Sequence, residues 1–212
     1  MPNKFKGERP PEVPIEEEKI PEVKMVEYSE INVVDVYGES AQLEKIPEYK
    51  KKFEELGREK EIEITGRGPV WLYMIAQEAM HGVSKELVFN DGRGNRVLIY
   101  DHHTEKVARP EAVIVPPKIK VENLENKRGQ EVKIDIEGIY TQFGDQATFD
   151  NLDDYLKEAK KQAGLGSKVT LTGRGPIWLY LAIQHELHGS IQALKYDSPM
   201  TGEVEVYDYT KT

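Results

Sequence analysis

Apolar positions recur along this chain with two alternating periods. Ile31-Asn32-Val33-Val34-Asp35-Val36-Tyr37 has the β-branched, two-residue alternation of a strand and is closed by Gly38. From Glu44 to Leu56 the period lengthens. Ile46, Tyr49, Phe53 and Leu56 fall on one face of a helix that stops at Gly57, with Pro47 fitting only in its first turn. Glu61-Ile62-Glu63-Ile64 is again a strand. The run from Pro69 to His81 is apolar on most sides (Val70, Trp71, Leu72, Met74, Ile75, Ala76, Ala79, Met80), which predicts a buried helix. Leu87-Val88-Phe89 and Arg96 to Tyr100 flank the turn Asp91-Gly92-Arg93-Gly94-Asn95. They predict a hairpin that ends at Asp101-His102-His103.

The same order then returns. Val132-Lys133-Ile134-Asp135-Ile136 alternates as a strand, and Asn151 to Ala163 is a helix capped near Asp150 and stopped by Gly164. Lys168 to Leu171 is a strand, Pro176 to His188 a second buried helix, and Ile191–Tyr196 with Glu203–Tyr209 a hairpin turning at Pro199 to Gly202. Each repeat reads β-α-β-α-β-β, with its first three strands parallel through right-handed crossovers. The expected fold class is α/β, two tandem Rossmann-like units over residues 31–103 and 131–212 that form a pseudo-dimer. Residues 1–30, rich in Pro, Glu and Lys, predict an extended or flexible arm. Residues 104–130, interrupted by Pro110, Pro116 and Pro117, predict a linker with short edge pairings near 113–115 and 119–121.

The joint between strand and buried helix is the most faithfully repeated stretch. Thr65-Gly66-Arg67-Gly68-Pro69-Val70-Trp71-Leu72-Tyr73 returns as Thr172-Gly173-Arg174-Gly175-Pro176-Ile177-Trp178-Leu179-Tyr180, changed only from Val70 to Ile177. Glycines allow a tight turn and close approach of a ligand, and proline suits the first helical turn. The free N–H groups and the helix dipole behind them favour an anion, and Arg67 or Arg174 adds a bidentate phosphate donor. The competing reading is a plain strand-to-helix turn with its arginine in solvent. Near-identity between two copies that differ elsewhere favours ligand binding. In open sheets of this kind ligands bind off the carboxyl ends of the strands, where these loops lie.

Composition narrows the ligand. The chain has 212 residues and a formal charge of −9, so a long nucleic acid is not the expected partner; a small anion in a local pocket is. There is no cysteine, which excludes disulfides and zinc–thiolate sites. No run has the length and apolarity of a signal peptide or a membrane span, so the expected location is the cytoplasm. Candidate chemistry gathers at His81, Asp91, Arg93, His102 and His103 in the first repeat, residue types that move protons or hold a divalent metal. Sequence comparison of the repeats keeps His188 and Asp197 in the second and adds His185. It sets Ser198-Pro199-Met200 against Gly92-Arg93-Gly94 and Asp208-Tyr209 against His102-His103. His185-Glu186-Leu187-His188 has i,i+3 spacing and does not match the zinc-protease helix.

With its Gly-Arg-Gly-Pro-Ile-Trp-Leu loop, the helix ending in histidine and the strand ending in aspartate, the chain resembles the Csx-three family of CRISPR-associated proteins, also called Crn-three ring nucleases. The resemblance covers roughly residues 30–103 and 131–210. It implies CARF-like (Rossmann-like) units that self-associate, here present twice on one chain. It also implies binding of cyclic tetra-adenylate, the second messenger of type III CRISPR antiviral signalling, and its cleavage by a manganese-dependent phosphodiesterase. Carried onto this sequence, the ligand loops fall on Gly66, Arg67, Gly68 and Pro69, and on Gly173, Arg174, Gly175 and Pro176. The catalytic histidine falls near His81, shifted by one residue, with Asp91, Arg93 and His102 following it. Asp91 and His102 are the expected Mn2+ ligands, and His188 and Asp197 the weaker counterparts in the second half. In the family the catalytic groups act on ligand held by a neighbouring, stacked unit. The alternative to a ring nuclease is a sensor or sponge that binds without turnover. A third reading, an exonuclease on single-stranded RNA, is disfavoured by the acidic charge.

Overall fold

The computed structural model describes residues 24–110 and 112–211; residues 1–23, most of the expected arm, lie outside them. The first unit runs β1 (Ser29–Asn32), α1 (Val33–Tyr37), α2 (Ile46–Gly57), β2 (Glu61–Thr65), α3 (Val70–Met80), β3 (Glu86–Asn90), β4 (Arg96–Asp101) and a short β5 (Val113–Ile114). The second runs β6 (Glu131–Asp135), α4 (Ile136–Tyr140), α5 (Leu152–Ala163), β7 (Lys168–Thr172), α6 (Ile177–Leu187), β8 (Ala193–Ser198) and β9 (Gly202–Asp208). Strand order follows the chain, β1-β2-β3-β4-β5 in one sheet and β6-β7-β8-β9 in the other. The first three strands of each sheet are parallel and the fourth is antiparallel. The protein is therefore α/β, two tandem Rossmann-like units. The linker supplies β5, whose Val113 and Ile114 pair with Arg96 and Val97.

The first strand of each unit ends earlier than its alternation predicts. Asn32 ends β1 because its side-chain oxygen accepts from Val34 N at 3.1 Å and starts α1; Asp135 does the same for α4 through Glu137 N. The apolar residues beyond each cap still reach the core, Val33 and Val36 from α1 and Ile136 and Ile139 from α4. The hydrophobic period alone does not separate the two conformations here.

Helices α3 and α6 are buried nearly all round, as their composition predicts, because each is packed on two sides. Ile62, Ile64, Leu87 and Phe89 of its own sheet lie beneath α3, while α6, β8 and β9 of the other unit cover it. In turn α6 packs against β4. One apolar core runs through both units from Trp71 to Trp178. Polar contacts cross the seam. Gln184 Nε2 donates to Met74 O at 3.0 Å and Lys50 Nζ to Val206 O at 2.8 Å.

The sheets differ on their rear faces. In the first, Val88 and Leu98 are buried beneath segments 24–28 and 106–109, which hydrogen-bond to each other through Val26, Ala108 and Lys24. In the second the same register positions hold Lys195 and Glu205, and that face is solvated. A charged pair there has no need of a cover, whereas Val88 and Leu98 do.

Candidate functional site

The candidate residues divide between two ends of the molecule. At the carboxyl ends of β2 and β7 lie the glycine loops. Gly66 and Gly173 have φ of 109° and 88°, a region L side chains rarely adopt. A Cβ on Gly66 would stand 2.2 Å from Asn32 Oδ1, and one on Gly173 1.9 Å from Asp135 Oδ1. The loops are braced from behind: Tyr73 Oη donates to Gly66 O and Tyr180 Oη to Gly173 O, each at 2.7 Å. Tyr37 Oη donates to Arg67 O at 2.5 Å. Pro69 and Pro176 cap α3 and α6 with no side-chain hydrogen bond; Leu72 N and Leu179 N donate to the proline carbonyls, and the N–H groups of the two residues before each have no side-chain cap. Arg67 and Arg174 are exposed and take part in none of the described ion pairs.

The β3–β4 turn lies at this same end. Asp91 is spent on the turn itself: its Oδ1 accepts from Arg93 N and Asn95 N, and its Oδ2 from Asn95 Nδ2 at 2.6 Å. Those bonds outweigh its partial desolvation and hold its carboxyl below the usual range. Arg93 is exposed beside it.

The second unit keeps one constant offset from the first, from Gly66/Gly173 to Asp101/Asp208, and its strand register corrects the sequence comparison of the turns. Asp91 corresponds to Ser198, not Asp197. Ser198 Oγ accepts from Met200 N and Thr201 N as Asp91 does from its own turn. Asp197 corresponds to Asn90 and is paired with Lys133 Nζ at 2.7 Å. Arg93 corresponds to Met200, which is 91% exposed, and His102 to Tyr209.

His81 and His102 lie at the opposite end. α3 runs back along the sheet, and β4 carries the chain away from Asp91; its six residues span roughly 20 Å. Asp91 and His102 therefore do not meet within one molecule, and this pair does not fit a single Mn2+ ion. His81 instead meets the histidines of the other unit. Its ring centroid is 4.1 Å from that of His188, 4.9 Å from His102 and 5.8 Å from His185. Tyr100 stacks on His102 at 4.8 Å and abuts His81 at 5.1 Å. Tyr209 Oη donates to Glu78 Oε1 at 3.1 Å and lies 2.8 Å from His188 Nε2, from which it can then accept. Burial, reinforced by neighbouring imidazoles, lowers His81 and His185 to about 4, so both are neutral at pH 7. Burial also raises Glu78. Sequence reasoning grouped His81 with Asp91 and left out Glu78. It noted the spacing of His185 and His188 without seeing that Glu78 and His81 repeat it.

His103 belongs to a third cluster. Its imidazole lies 2.8 Å from Asp101 and 3.3 Å from buried Glu86, with ligand atoms close enough together for a metal. A guanidinium already holds that place: Arg109 Nε and Nη2 reach Glu86 at 2.9 and 2.6 Å, and Nη2 also pairs with Asp101.

Among the described residues no helix is long and apolar enough to cross a membrane. No curated protein and no solved structure matches the chain. Residues 154–212, from within α5 through β9, match the model of a family described as CRISPR-associated protein (Cas_csx3). Over that span, which holds the second glycine loop and His188, the chain is similar to the CRISPR-associated Cas_csx3 family.

Proposed function

We propose that this protein binds cyclic tetra-adenylate at its glycine-loop end and cleaves it as a ring nuclease of type III CRISPR antiviral signalling. The observation that carries this reading is the pairing of α3 and α6. Their histidine ends meet, so both helix starts, each opening from a Gly-Arg-Gly-Pro loop, lie away from that junction. A cyclic tetranucleotide has approximate two-fold symmetry and four phosphates, and one chain offers it two near-identical loops. Arg67, Arg174 and the exposed Arg93 supply cations at the same end, and the uncapped N–H groups of α3 and α6 supply donors.

Cleavage requires a group that accepts a proton from the attacking hydroxyl. A neutral imidazole does so at pH 7, and His81 is held neutral. Because it lies at the far end, the ligand it serves is one held by the loops of a second molecule stacked head to tail. Manganese is not given a residue set in this scheme, since Asp91 and His102 do not converge.

A second reading, a binding module without turnover, is favoured by the second unit's Ser198, Met200 and Tyr209 in place of Asp91, Arg93 and His102. Incubating the purified chain with cyclic tetra-adenylate, with and without manganese, and resolving products by chromatography separates the two. The ring nuclease gives linear fragments; the module returns intact ring that stays bound. Arg67→Ala or Arg174→Ala should weaken binding about tenfold or more. His81→Ala should cut turnover and leave affinity nearly unchanged, while Asp197→Asn should change neither. Unchanged affinity in both arginine variants would reduce the loops to a structural joint.

A further inference from the structure

The seam between the units carries an arrangement that ligand binding at the other end does not use. Glu78 and His81 are one helical turn apart at the end of α3; His185 and His188 occupy the same positions on α6. Groups at i and i+3 project from one face, and two such pairs on facing helices are how helical proteins build metal centres in their interiors. Here the faces meet. His188 Nε2 lies 4.0 Å from Glu78 Oε2, and the His81 ring centroid is 4.1 and 5.8 Å from those of His188 and His185. Imidazoles bound at about 2.1 Å to one ion have centroids roughly 4.5–5.3 Å apart, so one observed pair is slightly too close and the other slightly too far, and the four groups are less tightly gathered than Glu86, Asp101 and His103 until the side chains rotate. Two of the donor atoms, Glu78 Oε2 and His185 Nδ1, are buried without a hydrogen-bond partner. An unpartnered buried acceptor is costly, and a cation satisfies both. The negative ends of two helix dipoles point at the same place.

We propose that Glu78, His81, His185 and His188 form a binding site for a divalent first-row transition ion of the Zn2+ type, bridging the two units. Three imidazoles and one carboxylate suit Zn2+, Co2+ or Ni2+ better than an oxygen-seeking ion such as Mg2+. Closing on the ion takes side-chain rotation, since the two helices already hold the four groups face to face. Tyr209 supports the pair from outside through Glu78 Oε1 and His188 Nε2, which leaves Glu78 Oε2 and His188 Nδ1 for the ion. Because His81 is also the base of the proposed cleavage, an ion held here takes that imidazole out of turnover; the test of the site uses no cyclic nucleotide.

The full chain is stripped with a chelator, dialysed and titrated with Co2+. The expected result is about one Co2+ per chain with the intense visible bands of a tetrahedral site, displaced by Zn2+. Glu78→Gln and His185→Gln should each weaken binding at least tenfold. Asp101→Asn, in the Arg109-filled cluster, and Asp91→Asn, at the glycine-loop end, should bind as the parent does. Circular dichroism and gel filtration establish that each variant is folded. A measurement free of variants accompanies these: Zn2+ should shift the imidazole NMR signals of three histidines and leave that of His103 in place. Absence of a stoichiometric ion in the parent would overturn the proposal. So would its survival in a His185→Gln/His188→Gln double variant, or its loss in Asp101→Asn.

Discussion

Gly66, Gly68, Gly173 and Gly175 answer first to the chain around them. A Cβ on Gly175 would lie 2.6 Å from Ile136 Cγ2, and one on Gly68 3.1 Å from Val33 Cγ2. Part of the near-identity of the two loops thus comes from the strand ends they pass over, and only the exposed arginines are free of that constraint. Gly173→Ala should cost about 2–4 kcal/mol, because positive φ and the Asp135 clash act together. Gly189→Ala, with φ of 78° and open space around it, should cost only about 1–2 kcal/mol. Urea midpoints of the two variants measure the difference, and equal losses would show that the Asp135 contact relaxes away. The same closeness to neighbours explains why Asp91 misleads. In sequence it is a strand-end carboxylate near two histidines; in the structure its oxygens are filled by the turn that it makes.

At the scale of elements, order and type were legible because α3 and α6 are apolar all round and β2 and β7 alternate. What sequence could not show was direction. His81 and Asp91 are ten positions apart, but β3 separates them by its full length, so sequence proximity places them at opposite ends. The α1 turn was hidden for another reason: Asn32 reads as one polar position of a strand until its side chain is seen capping Val34. The linker's hold on the first sheet was also invisible, since Arg109 finds Glu86 across a long loop. Glu86 is fully buried, and Arg109 with Tyr28 satisfies it. Arg109→Ala should therefore destabilise the protein by about 3–5 kcal/mol, leaving a carboxylate buried without its cation. Adding Glu86→Gln should recover part of that loss. Thermal melts of the single and double variants test it, and a double variant no more stable than the single would move the effect to lost packing.

Across the whole molecule, the seam between the units should make stability depend on pH. His81 and His185 titrate near 4 when folded and near 6.5 when unfolded, so the unfolded chain binds more protons between those values. Their contribution is complete above pH 6.5 and is lost as pH falls toward 4. Glu78, raised by burial, works in the opposite sense, because its neutral form is the one the seam favours. His103, raised by the carboxylates around it, contributes fully below 6.5 and adds no slope in that window. With chelator present, denaturant midpoints should fall from pH 7 to pH 5, and the fall should shrink in His185→Gln. A flat profile would mean that the histidines are hydrated.

The continuous core between α3 and α6 also bears on dilution. Two loops on separate chains would part company as protein concentration drops, whereas these two are held by folding itself. Ligand affinity per molecule should be the same at nanomolar and micromolar protein. Turnover that depends on one molecule's histidines meeting another's ligand should instead fall faster than linearly on dilution. Under the proposed function, the ratio of bound to cleaved ring then becomes a gauge of crowding, with capture favoured when the protein is scarce and destruction when it is abundant.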